Sequence, residues 1–215
     1  MQPEEHTMRR PILPLACLAA MTLPAGAQQM DMQAMQRWGS AKLVHYAVEG
    51  VHSGAAPMTA TMGGVADVVD RVSMTFEWSL TEARLLKVTS LKNHPSAVKN
   101  PRDREAKCLP PVLKGTYELA TVLEVVNGLG GAIDMKIERS YPAVDVAQFC
   151  TASRKPVPAE KKTSVQSMAV PSPILMAMGA PPTEKLSYSA DRKSLIVKDG
   201  NWTWTFTPSV TPSGK

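Results

Sequence analysis

The sequence lacks the short motifs that hold catalytic groups or metal ligands in many enzymes. It contains no HExxH zinc motif, no GxSxG nucleophile motif, no phosphate-binding glycine loop and no paired-cysteine zinc spacing. Catalysis requires a nucleophile, a base or a metal placed by such a constellation. The sequence therefore favours a non-catalytic protein with no cofactor.

Long uninterrupted apolar runs are also missing. The apolar stretch at residues 12–23 is broken by proline, whereas a membrane-spanning helix needs roughly 20 apolar residues. It follows two arginines and precedes a small-residue tripeptide, residues 25–27. This order is typical of a signal peptide that starts at Met8 and is cleaved after Ala27. We expect residues 1–27 to be removed and the mature chain, without a transmembrane span, to be periplasmic or secreted.

Cysteine is scarce, with three residues in the chain. Cys17 lies inside the apolar stretch and is a weak candidate for lipidation, since Pro14 stands where a branched aliphatic residue is expected. Cleavage would leave Cys108 and Cys150. An even pair in an oxidising compartment predicts a disulfide. A reactive or metal-bound thiol pair is the alternative.

The charge has a moderate positive excess, with a formal net charge of +5. Such an excess favours contact with anionic surfaces such as lipid head groups or cell-wall polymers. The cations are too evenly spread to indicate a nucleic-acid partner. Solubility alone is the simpler explanation of this charge.

Alternation of apolar and polar residues is the clearest structural signal. It recurs in residues 42–52 and 133–141, and residues 85–91 are expected to form the next strand after a turn at residues 81–84. In residues 71–80 every second side chain is apolar, and these are Val72, Met74, Phe76, Trp78 and Leu80. Period-two alternation predicts half-buried strands in antiparallel order.

Residues 116–126 fit either a helix or a strand by periodicity. We favour a strand, because the glycine-rich residues 127–131 suit a hairpin connection to residues 133–141.

A second hairpin is predicted near the C-terminus, with Asp199-Gly200 as a two-residue type I′ turn. This turn would pair Val197 with Trp202 and Leu195 with Trp204. All four side chains would then share one face. The tryptophans are therefore predicted to be core residues.

Two segments, residues 92–114 and 154–184, are expected to be irregular because they are rich in proline and turn-forming residues. The second segment contains an apolar patch, which must either pack on the sheet or cover a ligand. The candidate ligand-binding residues are Met168, Ile174, Leu175, Met176 and Met178.

These patterns predict about seven strands and an all-β fold with one or two short helices. The architecture is either a single strongly curved sheet, like a half-barrel, or a two-sheet sandwich. Residues 41–207 form the single domain. Residues 28–40 are expected to be flexible and residues 208–215 disordered.

The titratable residues do not form an obvious site. His45 and His52 lie seven positions apart, which places them on opposite faces of an unbroken strand. Asp67 and Asp70 are separated by three positions and also face opposite ways. With Arg71 next to it, Asp70 is expected to form a structural ion pair or to be a turn residue rather than a catalytic one.

Met30, Met32 and Met35 follow the predicted cleavage site in MxMxxM spacing. Thioethers are soft ligands that suit monovalent copper. The alternatives are an unstructured N-terminus or a short amphipathic helix that leads into Trp38. No histidine lies nearby in the sequence.

Two functions are compatible with these observations. The first is an exported, non-catalytic binding or accessory protein that holds an apolar small molecule or lipid, or a partner protein of the cell envelope, on its curved sheet. The second is a periplasmic copper-handling protein that uses the N-terminal methionines.

Overall fold

The computed structural model describes residues 30–57, 64–103, 119–143 and 158–210. Over these residues the chain is mostly β-strand, arranged in two antiparallel sheets, with two short helices. The prediction of an all-β fold is confirmed. In chain order the elements are α1 (Met32–Ser40), β1 (Leu43–Pro57), β2 (Gly64–Ser79), β3 (Arg84–Asn93), β4 (Ala97–Asp103), β5 (Ala120–Leu129), β6 (Ala132–Tyr141), β7 (Glu160–Ala169), α2 (Ile174–Ala177), β8 (Leu186–Tyr188), β9 (Leu195–Asp199) and β10 (Trp202–Ser209).

The large sheet has the strand order β3-β2-β1-β10-β9-β8, and β4 also pairs with β2. At its centre β1 and β2 form a long hairpin, in which Leu43 pairs with Ser79 and Pro57 with Val65. The alternating residues of β2 point into the core as predicted, and Val72, Met74, Phe76 and Trp78 are buried. Leu80 lies in the turn that follows β2 and is half-buried.

The small sheet has the order β5-β6-β7 and meets the large sheet along β3 and β5. The Asn93 side chain joins them: its amide donates to the Leu123 carbonyl at 3.1 Å and accepts from the Leu123 N–H at 2.8 Å. The β3 and β5 strands also approach closely at Leu85 and Gly128. A Cβ at Gly128 would lie 2.3 Å from the Leu85 Cβ. The two sheets are therefore joined along β3 and β5. Side chains from both sheets form one main core cluster, and a smaller cluster contains Ala56, Val68, Leu119 and Tyr141.

Aromatic side chains fill the middle of this core. Trp202 and Trp204 stack with 4.7 Å between ring centroids and are 5% and 0% exposed. Their prediction as core residues is confirmed. The Trp204 ring lies directly over Gly50, where a Cβ would be 2.2 Å from the ring. Only glycine leaves room for the ring at this position.

The C-terminal hairpin forms, but its register differs from the prediction by two residues. Trp202 pairs with Asp199 and Trp204 with Val197, so the turn consists of Gly200 and Asn201. Gly200 has a φ of +56° and Asn201 does not have a positive φ, which fits a turn with glycine in the first central position. A shift of two residues preserves the face on which each side chain lies.

Strands occur in both segments that were expected to be irregular. Residues 97–103 form β4 and residues 160–169 form β7, so the described residues contain ten strands rather than about seven. Most side chains of β7 are exposed. An exposed edge strand needs no apolar alternation, and for this reason the sequence pattern did not reveal it.

The hairpin between β5 and β6 confirms the choice of a strand over a helix at this part of the chain. Leu129 pairs with Ala132 across a turn formed by Gly130 and Gly131. Both glycines have positive φ, +65° and +84°, a conformation that side chains with a Cβ rarely adopt.

The ends of the domain extend slightly beyond the expected boundaries. Residues 32–40, which fall in the N-terminal segment expected to be flexible, form α1, and β10 continues to Ser209. In the part of the chain that is described, no helix is long and apolar enough to cross a membrane. The predicted signal peptide and the Cys108–Cys150 disulfide fall outside the described residues.

Candidate functional site

The first helix is held in place at both ends. Asp31 is its N-cap, and the carboxylate accepts a hydrogen bond from the Ala34 N–H at 2.9 Å. The Asp31 N–H donates to the Ala177 carbonyl of α2 at 3.0 Å. Near the other end, Trp38 is buried against the core. These contacts fix α1 beside α2.

The segment that contains α2 is fixed to the large sheet. The Tyr46 hydroxyl, which lies in the core, donates to the Pro171 carbonyl at 2.7 Å, and burial raises the pKa of Tyr46 above its ordinary value. Ala177 is buried, and Gly179 follows the helix with a φ of +64°. The segment therefore packs on the sheet in a defined conformation.

The five predicted ligand-binding residues lie in or near this segment but in different environments. Met168 is fully buried in the core. Ile174, Leu175 and Met176 are half-buried and pack against the core, while Met178 is 48% exposed. The apolar patch thus contacts the core directly.

A tight loop between β8 and β9 presents two cations beside α1 and α2. The Ser189 hydroxyl accepts hydrogen bonds from the N–H groups of Lys193 and Ser194, at 3.2 and 2.9 Å, and donates to Asp191. Arg192 has a φ of +54°, unusual for a residue with a Cβ. Its guanidinium lies 5.9 Å from the centroid of the Tyr188 ring. The Lys193 ammonium lies 3.7 Å from the Asp191 carboxylate, so both basic side chains have contacts within the loop.

Between the two helices and this loop lies an open cleft of about 360 Å³. Its wall is partly apolar, and it is lined by three cations, from Arg37, Arg192 and Lys193, and by one carboxylate, from Asp31. Lys193 also pairs with the Asp191 carboxylate of its own loop. Met176 is the member of the predicted ligand-binding set that lines it. The lining residues are Asp31, Ala34, Arg37, Trp38, Met176, Ala177, Arg192, Lys193, Thr207 and Pro208. We call this feature the α1–α2 cleft.

A buried polar cluster, which the sequence did not reveal, lies elsewhere in the fold. Asp70 on β2 is 2% exposed, and its Oδ2 is 2.6 Å from Nη2 of Arg139 on β6. The Ser96 hydroxyl donates to the other carboxylate oxygen. His52, opposite Asp70 on β1, has its Nδ1 at 3.2 Å from Oδ2, although the angle is not that of a hydrogen bond.

The Asp70 carboxyl remains charged in this cluster. Burial raises its pKa, but the polar contacts with His52 and Ser96 and the charge of Arg139 outweigh burial and hold the pKa at about 2. The expected structural ion pair of Asp70 thus exists, but its partner is Arg139 rather than the neighbouring Arg71. The sequence separation of the two residues explains why no local pattern indicated the pair.

The other titratable candidates do not converge. His45 and His52 lie on opposite faces of β1, as their spacing predicted. His45 pairs in register with Glu77 and Asp67 with Ala55, so these positions are separated by roughly 33 Å along the hairpin. Among the described residues no group of three His, Cys, Asp or Glu side chains is arranged to hold a metal ion.

The three N-terminal methionines have different surroundings. Met35 packs against the core from α1, whereas Met30 and Met32 are 59% and 68% exposed. The three methionines of the MxMxxM spacing are therefore not all exposed, because the Met35 side chain packs against the core.

Comparison with known proteins gives no relative: no family model, no curated protein and no solved structure matches this chain. We therefore infer the function from the residues of the site alone.

Proposed function

We propose that this chain is an exported, non-catalytic binding protein and that the α1–α2 cleft holds a small anionic amphiphile. The ligand would have a carboxylate or phosphate head and a short apolar tail. The observation that carries the proposal is the combination, in one cleft, of an apolar wall with the three cations of Arg37, Arg192 and Lys193.

The head group would contact the basic side of the cleft. Arginine presents N–H donors in a planar fork that matches a carboxylate or phosphate. The loop at residues 189–194 supports this role, because its internal hydrogen bonds fix the backbone and so limit the backbone entropy that is lost when Arg192 and Lys193 engage an anion. Asp31 faces the same cleft, but its carboxylate is engaged in capping α1.

The tail would lie against Trp38, Met176 and Ala177. Removal of apolar surface from water contributes about 25 cal/mol per Å², so a tail of several methylenes adds substantially to the affinity. The volume, about 360 Å³, is near the lower end of small-molecule sites. It suits a medium-chain carboxylate better than a complete phospholipid.

Export is part of the same proposal. It is supported by the two arginines, the apolar stretch and the small-residue tripeptide that precede residue 28. In the cell envelope, a net positive protein would meet anionic lipids and their breakdown products. The sequence predicts a ligand held on the curved sheet under the apolar patch. Because that patch packs on the core, we place the ligand in the α1–α2 cleft instead.

The test is a titration of the protein with decanoate, followed by ¹H–¹⁵N NMR. Saturable shifts are expected for residues of the cleft, among them the Trp38 indole N–H. Ala34→Phe, which fills the cleft, is expected to abolish these shifts. The matched control is Gln33→Phe on an exposed part of the same helix, which is expected to bind like wild type. Equal binding by both variants, or no saturable shift in wild type, would contradict the proposal.

A further inference from the structure

Exposed methionine is confined to one corner of the described structure. Eight methionines are described, and five of them are buried or half-buried: Met35, Met74, Met135, Met168 and Met176. The other three, Met30, Met32 and Met178, are 59%, 68% and 48% exposed. An exposed thioether gains little from packing, so the grouping of all three needs another explanation.

A backbone hydrogen bond brings these three residues together from two distant parts of the chain. The Asp31 N–H donates to the Ala177 carbonyl at 3.0 Å. The peptide group between Met30 and Asp31 is thus bonded to the peptide group between Ala177 and Met178. Met30 and Met178 start from adjacent backbone, and Met32 opens α1 directly after the N-cap.

The methionine thioethers at this corner are soft metal ligands. Methionine has three rotatable side-chain bonds, which allow neighbouring sulfurs to converge on one ion. Thioethers select monovalent copper over hard divalent cations. The described residues offer no cluster of three His, Cys, Asp or Glu side chains for a divalent ion, which is consistent with this preference.

From this geometry we infer that Met30, Met32 and Met178 form a thioether site for a soft monovalent cation, Cu⁺ or its analogue Ag⁺. Met35, the third methionine of the MxMxxM spacing, is excluded because it packs against the core. Met178 replaces it. This site adjoins the α1–α2 cleft, because Asp31 and Ala177 line the cleft, but none of its three methionines does. It uses different side chains from those of the proposed function, so Ag⁺ binding and decanoate binding are tested separately.

The experiment is a titration of the full chain with Ag⁺, which needs no reductant. Free thiols are alkylated first, because thiolates bind the same ion. The readout is the ¹³C chemical shift of the methionine methyl groups. Three methyl signals, those of Met30, Met32 and Met178, are expected to shift and to saturate at one equivalent, whereas the signals of Met35 and Met168 stay unchanged.

Variants distinguish this site from one formed by Met30, Met32 and Met35 alone. Met178→Leu, which keeps an apolar side chain of similar volume, is expected to weaken Ag⁺ binding at least tenfold. Met35→Leu is the matched control and is expected to bind like wild type. The inference is overturned if Met178→Leu binds Ag⁺ as wild type does, if Met35→Leu loses as much affinity, or if no methyl signal saturates. A patch that docks a protein instead would give the last of these results.

Discussion

Asp70 of the large sheet and Arg139 of the small sheet form an ion pair across the core, with 2.6 Å between Oδ2 and Nη2. Each is supported by a residue opposite it in register, His52 beside Asp70 and Thr121 beside Arg139. The Arg139 Nε donates to the Thr121 hydroxyl at 3.2 Å. The pair therefore ties four strands of two sheets together at one point.

Removal of one partner is expected to be costly, because it leaves a buried charge without compensation. We predict that Arg139→Met lowers the free energy of unfolding by about 3–5 kcal/mol, measured by urea denaturation. The control lies on the same strand: Lys136→Met removes an exposed ion pair with Glu124 and is expected to change stability little. Similar losses in both variants would show that the position of Arg139 has no special role.

The Asp70–Arg139 ion pair also predicts that the folded protein loses stability as the pH falls. The pKa of Asp70 is about 2 in the folded protein and near 3.9 in an unfolded chain. A lowered folded-state pKa gives stability that is complete above the unfolded value and is lost as the pH falls through the folded value. The wild-type advantage over Asp70→Asn should therefore shrink by about 2 kcal/mol between pH 5 and pH 2.

This pH dependence is measured from urea denaturation curves of both proteins across that range. Asp70→Asn removes the carboxyl and retains the side-chain volume, so the difference between the two curves isolates its titration. A difference that stays constant down to pH 2 would contradict the assignment of a charged, buried Asp70.

Gly50 is predicted to be intolerant of even a methyl group. The Trp204 ring would lie 2.2 Å from a Cβ at this position, so Gly50→Ala must displace the ring or the strand. We expect a loss of about 1–3 kcal/mol and an altered near-ultraviolet circular dichroism spectrum. Gly39→Ala in α1, where no atom lies within 4 Å of the new methyl, should instead leave stability unchanged or raise it by up to about 1 kcal/mol.

Asn93 gives a separate test of how the sheets are joined. Both polar atoms of its amide contact the Leu123 backbone. Asn93→Leu leaves the Leu123 N–H and carbonyl without these partners, so we expect a loss of about 1–3 kcal/mol in thermal or urea unfolding. Asn127→Leu, at a residue whose side chain is bonded only to the next N–H in the described contacts, should cost less. Equal losses of stability in the two variants would show that Asn93 has no special role in joining the sheets.

The sequence revealed those parts of the fold in which periodicity is strong. β2 buries one face and exposes the other, and its alternation was sufficient to predict it. β7 was missed because most of its side chains are exposed. The C-terminal hairpin was placed on the correct face with a register two residues off, since Asp-Gly and Gly-Asn are both acceptable turn sequences.

The site was less accessible to sequence reasoning. Asp70 and Arg139, like Met30 and Met178, are brought together only by the sheet and loop arrangement, and neither pair leaves a local pattern. The cations of the cleft come from α1 and from the loop at residues 189–194. Such a constellation depends on tertiary structure, so composition and spacing gave only the apolar patch around Met176.

The α1–α2 cleft is proposed to recognise an anionic head and an apolar tail together. The direct measurement is the affinity, by calorimetry, for decanoate and for decanol, whose tail matches but whose head is uncharged. Wild type should bind decanoate at least tenfold more tightly, because charge-assisted hydrogen bonds contribute about 1.5–3 kcal/mol. The double variant Arg192→Gln, Lys193→Gln should lose this preference, whereas Lys87→Gln, at an exposed cation of β3, should keep it. Equal binding of the two ligands by wild type, or an unchanged preference in the double variant, would show that the cations of the cleft do not recognise the head group.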